Sequence, residues 1–330
     1  MGDAEANALN PLNAKAWSWS AEVPPSRGAV GAVSRYRAKM HQGFREFWKT
    51  YRRSLAGLVG LAIIASLAFI ALCADLLAPY SPFSLSADSL RPPDTRHLMG
   101  TDDLGRDIFS GVVHGSRISL LVGSLTAGAS TLVGILIGGF SGYYGGKIDD
   151  VLMRLTEFFM VIPRFFLALV IIALFGSSIW GIILVLAILS WPMTARLVRA
   201  EVLRLKSLEY VIAARAIGCG DRKILFRQIL PNALSPVIVN ISVQVAYAII
   251  LEAGLSFLGL GDASTMSWGV MLSNAQQFLR RAWWTATFPG MAIFLAVLGF
   301  NLLGDGMNDA LNPRLKNRTM RLESMKLGQA

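Results

Sequence analysis

Along the 330-residue chain, long uncharged stretches alternate with short charged ones. Residues 55–74 carry no charge, and neither do residues 118–146 or 165–195. The third stretch is broken by Gly176-Ser177-Ser178. Taken together with 158–163, the segment 158–195 reads as two helices joined by a tight turn. Residues 230–251 give a fifth span, extended past Glu252, and 282–304 a sixth. A helix needs about 20 mostly apolar residues to cross the hydrocarbon core. Inside lipid, each backbone group must find its partner within the same segment. The pattern therefore predicts an all-α integral membrane protein with six transmembrane helices. A membrane barrel would instead show alternating segments of about 10 residues, and the sequence has none.

Composition supports this reading. Hydrophobic residues make up 54% of the chain and charged residues only 16%, against about 25% charged in soluble domains. The formal net charge of +10 raises the question of a nucleic acid partner, and the placement of the cations answers it. With six spans, both termini lie on one side. That side collects 24 Lys and Arg, the other side six, and Arg164 lies within a span. Cations accumulate on the cytoplasmic face of membrane proteins. Both termini are thus expected in the cytoplasm, in a bacterial or archaeal cytoplasmic membrane, and no nucleic acid is needed to explain the charge.

Residues 1–38 are rich in Ala, Ser, Pro and Gly, lack the apolar core of a signal peptide, and read as a flexible cytoplasmic tail. In residues 39–54, Phe44, Phe47, Trp48 and Tyr51 recur at helical spacing among Arg45, Lys49, Arg52 and Arg53. This suits a helix lying at the inner lipid headgroups, or a simple basic flank. The first transmembrane helix then occupies 55–78 and an extracytoplasmic loop 79–116. The core spans 117–308, with a cytoplasmic loop at 196–231, and a cytoplasmic tail fills 309–330. Cys73 and Cys219 fall on opposite sides of the membrane, with no redox or metal spacing. Gly134 and Gly138 form a GxxxG face that permits close helix approach.

Two segments between spans carry candidate chemistry. In 79–116, His97, Asp102, Asp103 and Asp107 suggest a metal, but their spacing matches no calcium loop. Capping by Asp102 and Asp107, or pairing with Arg106 and Arg117, is the simpler expectation. The loop at 196–231 is the more informative. It has 11 charges in the 32 residues from Arg196 to Arg227 and is too long for a plain connector. Ala213 and Ala214 fall on a short helix that ends at Gly218 and Gly220, before Asp221. A second amphipathic piece follows and stops at Leu230-Pro231. Small side chains let such a helix sit deep in a partner's groove, where Arg215 can meet an acid, and Gly218 lets the chain turn sharply. The competing expectation is that Ala213 and Ala214 face their own membrane helices.

The run Ala213-Ala214-x3-Gly218-x11-Leu230-Pro231 resembles the EAA loop of ATP-binding-cassette importer permeases, with Ile212 in place of the leading Glu. "HLMGTDDLGRDIFSGVVHGSRISLLVG" from His97, "LEAGLSFLGLG" from Leu251, "SWGVML" from Ser267 and "DALNPRLK" from Asp309 are similar to runs in the same group. The chain thus resembles the C-type permease subunit of dipeptide, oligopeptide and nickel importers. The resemblance implies the type I importer fold, one N-terminal helix before a five-helix core. It also implies a second homologous permease subunit, two ATPase subunits carrying the ATP and Mg, and an extracytoplasmic binding protein. The ATPase-coupling residues it points to are Ala213, Ala214, Arg215, Gly218, Asp221, Leu230 and Pro231. The chain lacks a GxxxxGK[ST] run and so has no phosphate cradle of its own; no cofactor and no catalytic site are expected in it. Peptide is the default substrate, with nickel complexes, sugars or opines as alternatives within the family. A secondary transporter is the alternative of another class. Inverted repeats with broken helices would mark one, and no duplicated hydropathy pattern is evident.

Arg164 and Glu252 are in-membrane charges. Arg164 is expected to face protein or water, since lipid exposure costs about 2.5–3.5 kcal/mol, or to snorkel to the inner surface; Glu252 is expected to pair within the bundle. Asn240, Gln244 and Tyr247 recur at i, i+4 and i+7 in the fifth span, on one helix face. Amides facing lipid would go unsatisfied. The stripe is therefore a candidate lining of the translocation path or, alternatively, a set of hydrogen bonds to a neighbouring helix.

Overall fold

The computed structural model describes residues 47–311. The expectations for Phe44, Arg45, residues 1–38 and most of the C-terminal tail lie outside those residues. Among the described residues the fold is helical, with one isolated β-bridge between Thr101 and Asp107. The helices are α1 (Leu55–Leu72), α2 (Ala74–Leu77), α3 (Ile108–Tyr144), α4 (Gly146–Val161), α5 (Arg164–Phe175), α6 (Ile179–Lys206), α7 (Glu209–Ala216), α8 (Asp221–Ile224), α9 (Leu230–Leu255), α10 (Trp268–Ala275) and α11 (Trp284–Leu311). Five stretches are long and apolar enough to cross a membrane, and the bent pair α4–α5 makes a sixth.

Local chemistry sets the boundaries. The Ser54 hydroxyl accepts from the Gly57 N–H and caps α1. α3 starts at Ile108, inside the segment that reads from sequence as an extracytoplasmic loop. There Asp107 caps it, accepting from the Ser110 N–H at 2.8 Å and the Ser110 hydroxyl at 2.7 Å. The first turns of α3 are polar because they work sideways. Arg117 donates to Asp75 at 2.8 Å and to the Ala71 carbonyl at 2.5 Å, tying α3 to the end of α1. Between α4 and α5 the axis bends by 81°. Pro163 supplies no N–H, and its ring disfavours helix at Ile162. The turn expected at Gly176-Ser177-Ser178 is present: Gly176 takes φ 93° and Ser178 caps α6.

Glycine packs the bundle. Gly134, Gly138 and Gly142 on α3 lie against Thr194, Ala195 and Arg199 on α6, so closely that a Cβ at Gly134 would stand 2.6 Å from Thr194. This is the GxxxG face, one turn longer than expected. α1 packs on α11 the same way, with Gly57 against Gly306 and Gly60 against Gly299. Tyr51 fills the foot of this seam, buried, its hydroxyl donating to the Gly57 carbonyl at 2.7 Å. Of the aromatics at helical spacing ahead of α1, Tyr51 thus packs inside the bundle.

One end of the bundle is capped by 79–107 and α10. His97 lies 2.9 Å from Asp107, Asp102 pairs with Arg106, and the indoles of Trp284 and Trp268 donate to the carbonyls of Thr101 and Val112. The histidine and two of the aspartates weighed as metal ligands are thus engaged by one another, by Arg106 and by backbone N–H groups. Asp262 receives the Ser264 hydroxyl and N–H and the Ile179 N–H, which hold its carboxyl below the usual range and fix the start of α6.

Candidate functional site

The opposite end carries the residues singled out between 196 and 231. α6 continues as helix through Lys206, so the charged segment opens with a helical extension rather than a loop. After Ser207 the chain turns into α7. Its first residue, Glu209, and its penultimate one, Arg215, match the helix dipole. α7 ends in a Schellman turn. The Cys219 N–H donates to the Ala214 carbonyl, the Gly218 N–H donates to the Arg215 carbonyl, and Gly218 takes φ 79°. Nothing lies within 4 Å of a Cβ built on Gly218. The left-handed backbone, not lack of room, is what requires glycine. Gly220 precedes α8, whose first residue is Asp221, and a π-helical turn, Leu225–Ile229, leads into α9.

Two faces of α7 differ sharply. Val211 and Ala214 are buried against Ile224, Leu225 and the end of α6. Tyr210, Ile212 and Ala213 are exposed, Ile212 at 58%, and Ile217 reaches 81% at the turn. The adjacent residues Ala213 and Ala214 therefore do different things: Ala214 packs on its own chain and Ala213 points away from it. Arg215 turns back to the bundle, its guanidinium 3.4 Å from the Tyr143 hydroxyl and 6.0 Å from the ring centre. The Tyr143 hydroxyl and, further off, Asp221 raise Arg215 above its ordinary range. Leu230 is buried in the same cluster, while Pro231 is exposed in the first turn of α9.

Of the stripe on α9, Asn240 and Gln244 both donate to the Thr194 hydroxyl on α6, at 3.2 and 2.5 Å. Gln244 is buried and Tyr247 is 41% exposed. The exposed line on α9 runs instead through Val243, Tyr247 and Ile250, with Asn240 half-buried above it. Glu252 is buried, and its Oε1 accepts from the hydroxyls of Ser256 at 2.7 Å and Ser267 at 2.8 Å. Arg164 is half-buried in the first turn of α5, just past the bend, the end of a helix that least favours a cation.

The sequence does not single out Tyr143, Thr194 or the pair Asp149–Arg199. Asp149 accepts from Nε and Nη2 of Arg199, each at 2.6 Å, and also from Ser141, joining α4, α6 and α3. Tyr143 and Thr194 both lie inside uncharged runs, so neither shows any local signal.

Comparison with known proteins agrees with this architecture. Residues 134–317 match the family described as binding-protein-dependent transport system inner membrane component. Residues 44–93 match the N-terminal TM domain of oligopeptide transport permease C. The chain is 40% identical over 296 residues to the dipeptide transport system permease protein DppC of Alkalihalophilus pseudofirmus, covering 89% of this chain and 95% of that one. It is 43% identical over 280 residues to DppC of Escherichia coli K12, covering 82% and 93%. It is 42% identical over 278 residues to the glutathione transport system permease protein GsiD of Pectobacterium atrosepticum, covering 83% and 92%. A helical bundle with these spans, matched over most of its length, belongs to the family of inner-membrane permease components of binding-protein-dependent transport systems.

Proposed function

We propose that this chain is the permease subunit of an ATP-driven importer that carries di- or oligopeptides into the cytoplasm by alternating access. The carrying observation is the apolar face of α7. Tyr210, Ile212, Ala213 and Ile217 are exposed at the tip of a charged, water-facing segment, where uncovered apolar surface marks a partner site. The partner that fits is an ATPase subunit, one of two, which would bring the ATP and Mg that this chain has no Walker A run to hold. The 24-to-6 distribution of cations supports a cytoplasmic position for this end and for both termini. A second homologous permease subunit would cover the rest of the bundle, and a binding protein would deliver substrate to the capped end at 79–107. Peptide as substrate rests on the names of the relatives.

The test is Ala213→Arg, which places a long cation on the exposed face and leaves the buried Ala214 alone. The variant is expected to remain in the membrane with its spans intact, to lose co-purification with the ATPase subunits, and to lose uptake. Gly218→Glu, which forces a Cβ residue into φ 79°, is expected to do the same. Retention of both ATPases by Ala213→Arg would remove α7 as the docking face.

A further inference from the structure

Four elements meet around one phenol. Tyr143, in the last turn of α3, is 3% exposed although the next residue, Tyr144, is 41% exposed. Its hydroxyl donates to Asp221 Oδ1 at 2.5 Å, at the start of α8. Arg215, near the end of α7, brings a guanidinium nitrogen to 3.4 Å of the same oxygen. Lys206, the last residue of α6, donates to the Tyr143 carbonyl and lies 5.5 Å from the ring centre. One side chain therefore grips both halves of the docking segment, on either side of the Gly218 turn, and links them to the ends of α3 and α6. Two residues earlier, Ser141 donates to Asp149, which clamps Arg199. That second link carries the connection into α4, below the bend at Pro163.

Besides these polar links, the docking segment is held to the bundle by apolar contacts of Val211, Ala214, Ile224 and, in the π-helical turn, Leu225. Such contacts are non-directional and let a helix slide. A hydroxyl–carboxylate bond is short and directional. We infer that Tyr143 is a positioning residue of the transport cycle: its hydroxyl fixes the angle of the docking segment on α3, so that movement of a docked ATPase turns α3 and α4 rather than being absorbed by sliding. The inference rests on the docking reading above.

Tyr143→Phe removes the one oxygen that meets Asp221 and Arg215 and keeps the ring, its packing and the contacts of Lys206 and Arg215 with the ring. In the complete transporter reconstituted with its binding protein, three quantities decide: ATPase subunits retained, basal ATP hydrolysis, and peptide imported per ATP. The first two should stay within about twofold of wild type. The third should fall about tenfold, the scale expected for losing a hydrogen bond to a charged group. Asp221→Asn added to Tyr143→Phe should lower peptide per ATP little further, because both act on one bond. An unchanged peptide-to-ATP ratio in Tyr143→Phe would overturn the inference. So would loss of the ATPases from that variant, which would make Tyr143 part of the docking fold. Neither result touches the docking reading, which stands or falls with Ala213→Arg.

Discussion

Glu252 shows how this bundle handles polarity one side chain at a time. Its Oε1 serves Ser256, one turn along, and Ser267, beyond the loop that leads to α10, while Oε2 has no partner among the described residues. The carboxyl pins the cap helix α10 to the end of α9, where Gly269 stands against Ala253 and Ser256 too closely for a Cβ. Glu252→Gln keeps an accepting oxygen in place, whereas Glu252→Leu strands both hydroxyls at a cost of about 1–3 kcal/mol. Thermal unfolding in detergent should therefore rank wild type and Gln together above Leu. A Leu variant as stable as the Gln variant would contradict this role. The sequence marks Glu252 as a charge in need of a partner. It does not name the serines, because Ser267 lies 15 residues away across a loop. Thr194 is hidden for the same reason. A threonine in an apolar run is unremarkable until the fold brings Asn240 and Gln244 to it.

At the scale of elements, the spans are legible because lipid imposes uncharged length, and the turn at Gly176-Ser177-Ser178 because glycine and serine break and cap. Three boundaries are not. α3 starts ten residues before its uncharged run, since His114 and Arg117 are spent on Asp75. α4 reads in sequence as connection and span because its charges, including Asp149, Asp150, Arg154 and Glu157, interrupt the apolar pattern. α6 extends past the membrane run to Lys206. The stripe on α9 is half legible. Its period is right for a face, but two of the three residues spend their amides on α6, and the exposed line passes through Val243, Tyr247 and Ile250. If that line borders the translocation path, single cysteines at 243 and 247 should react with a hydrophilic thiol reagent in a nucleotide-dependent way. Cysteines at the buried positions 245 and 249 should not, all in a background lacking Cys73 and Cys219. Protection of 243 and 247 in every state would place the line against lipid or the second subunit.

The whole molecule divides its labour between two ends of one bundle: a hydrogen-bonded cap over α3, α10 and α11, and a charged end that presents the apolar face of α7. Glycine seams between α3 and α6 and between α1 and α11 leave the ends connected by helices packed backbone to backbone, suited to move as units. The proposed polarity of this arrangement rests on the distribution of Lys and Arg. The chemistry of the cap is not legible in the sequence, because its bonds join residues whose types alone, His97 with three aspartates, fit several purposes. Central to the proposed function is that ATP drives transport through partner subunits. The direct measurement is uptake of a labelled dipeptide into proteoliposomes holding this chain, its second permease, the ATPases and the binding protein, with a protonophore present. The expected result is uptake that requires ATP and Mg and is unchanged by the protonophore; uptake that proceeds without ATP, or that stops when the protonophore is added, would contradict it.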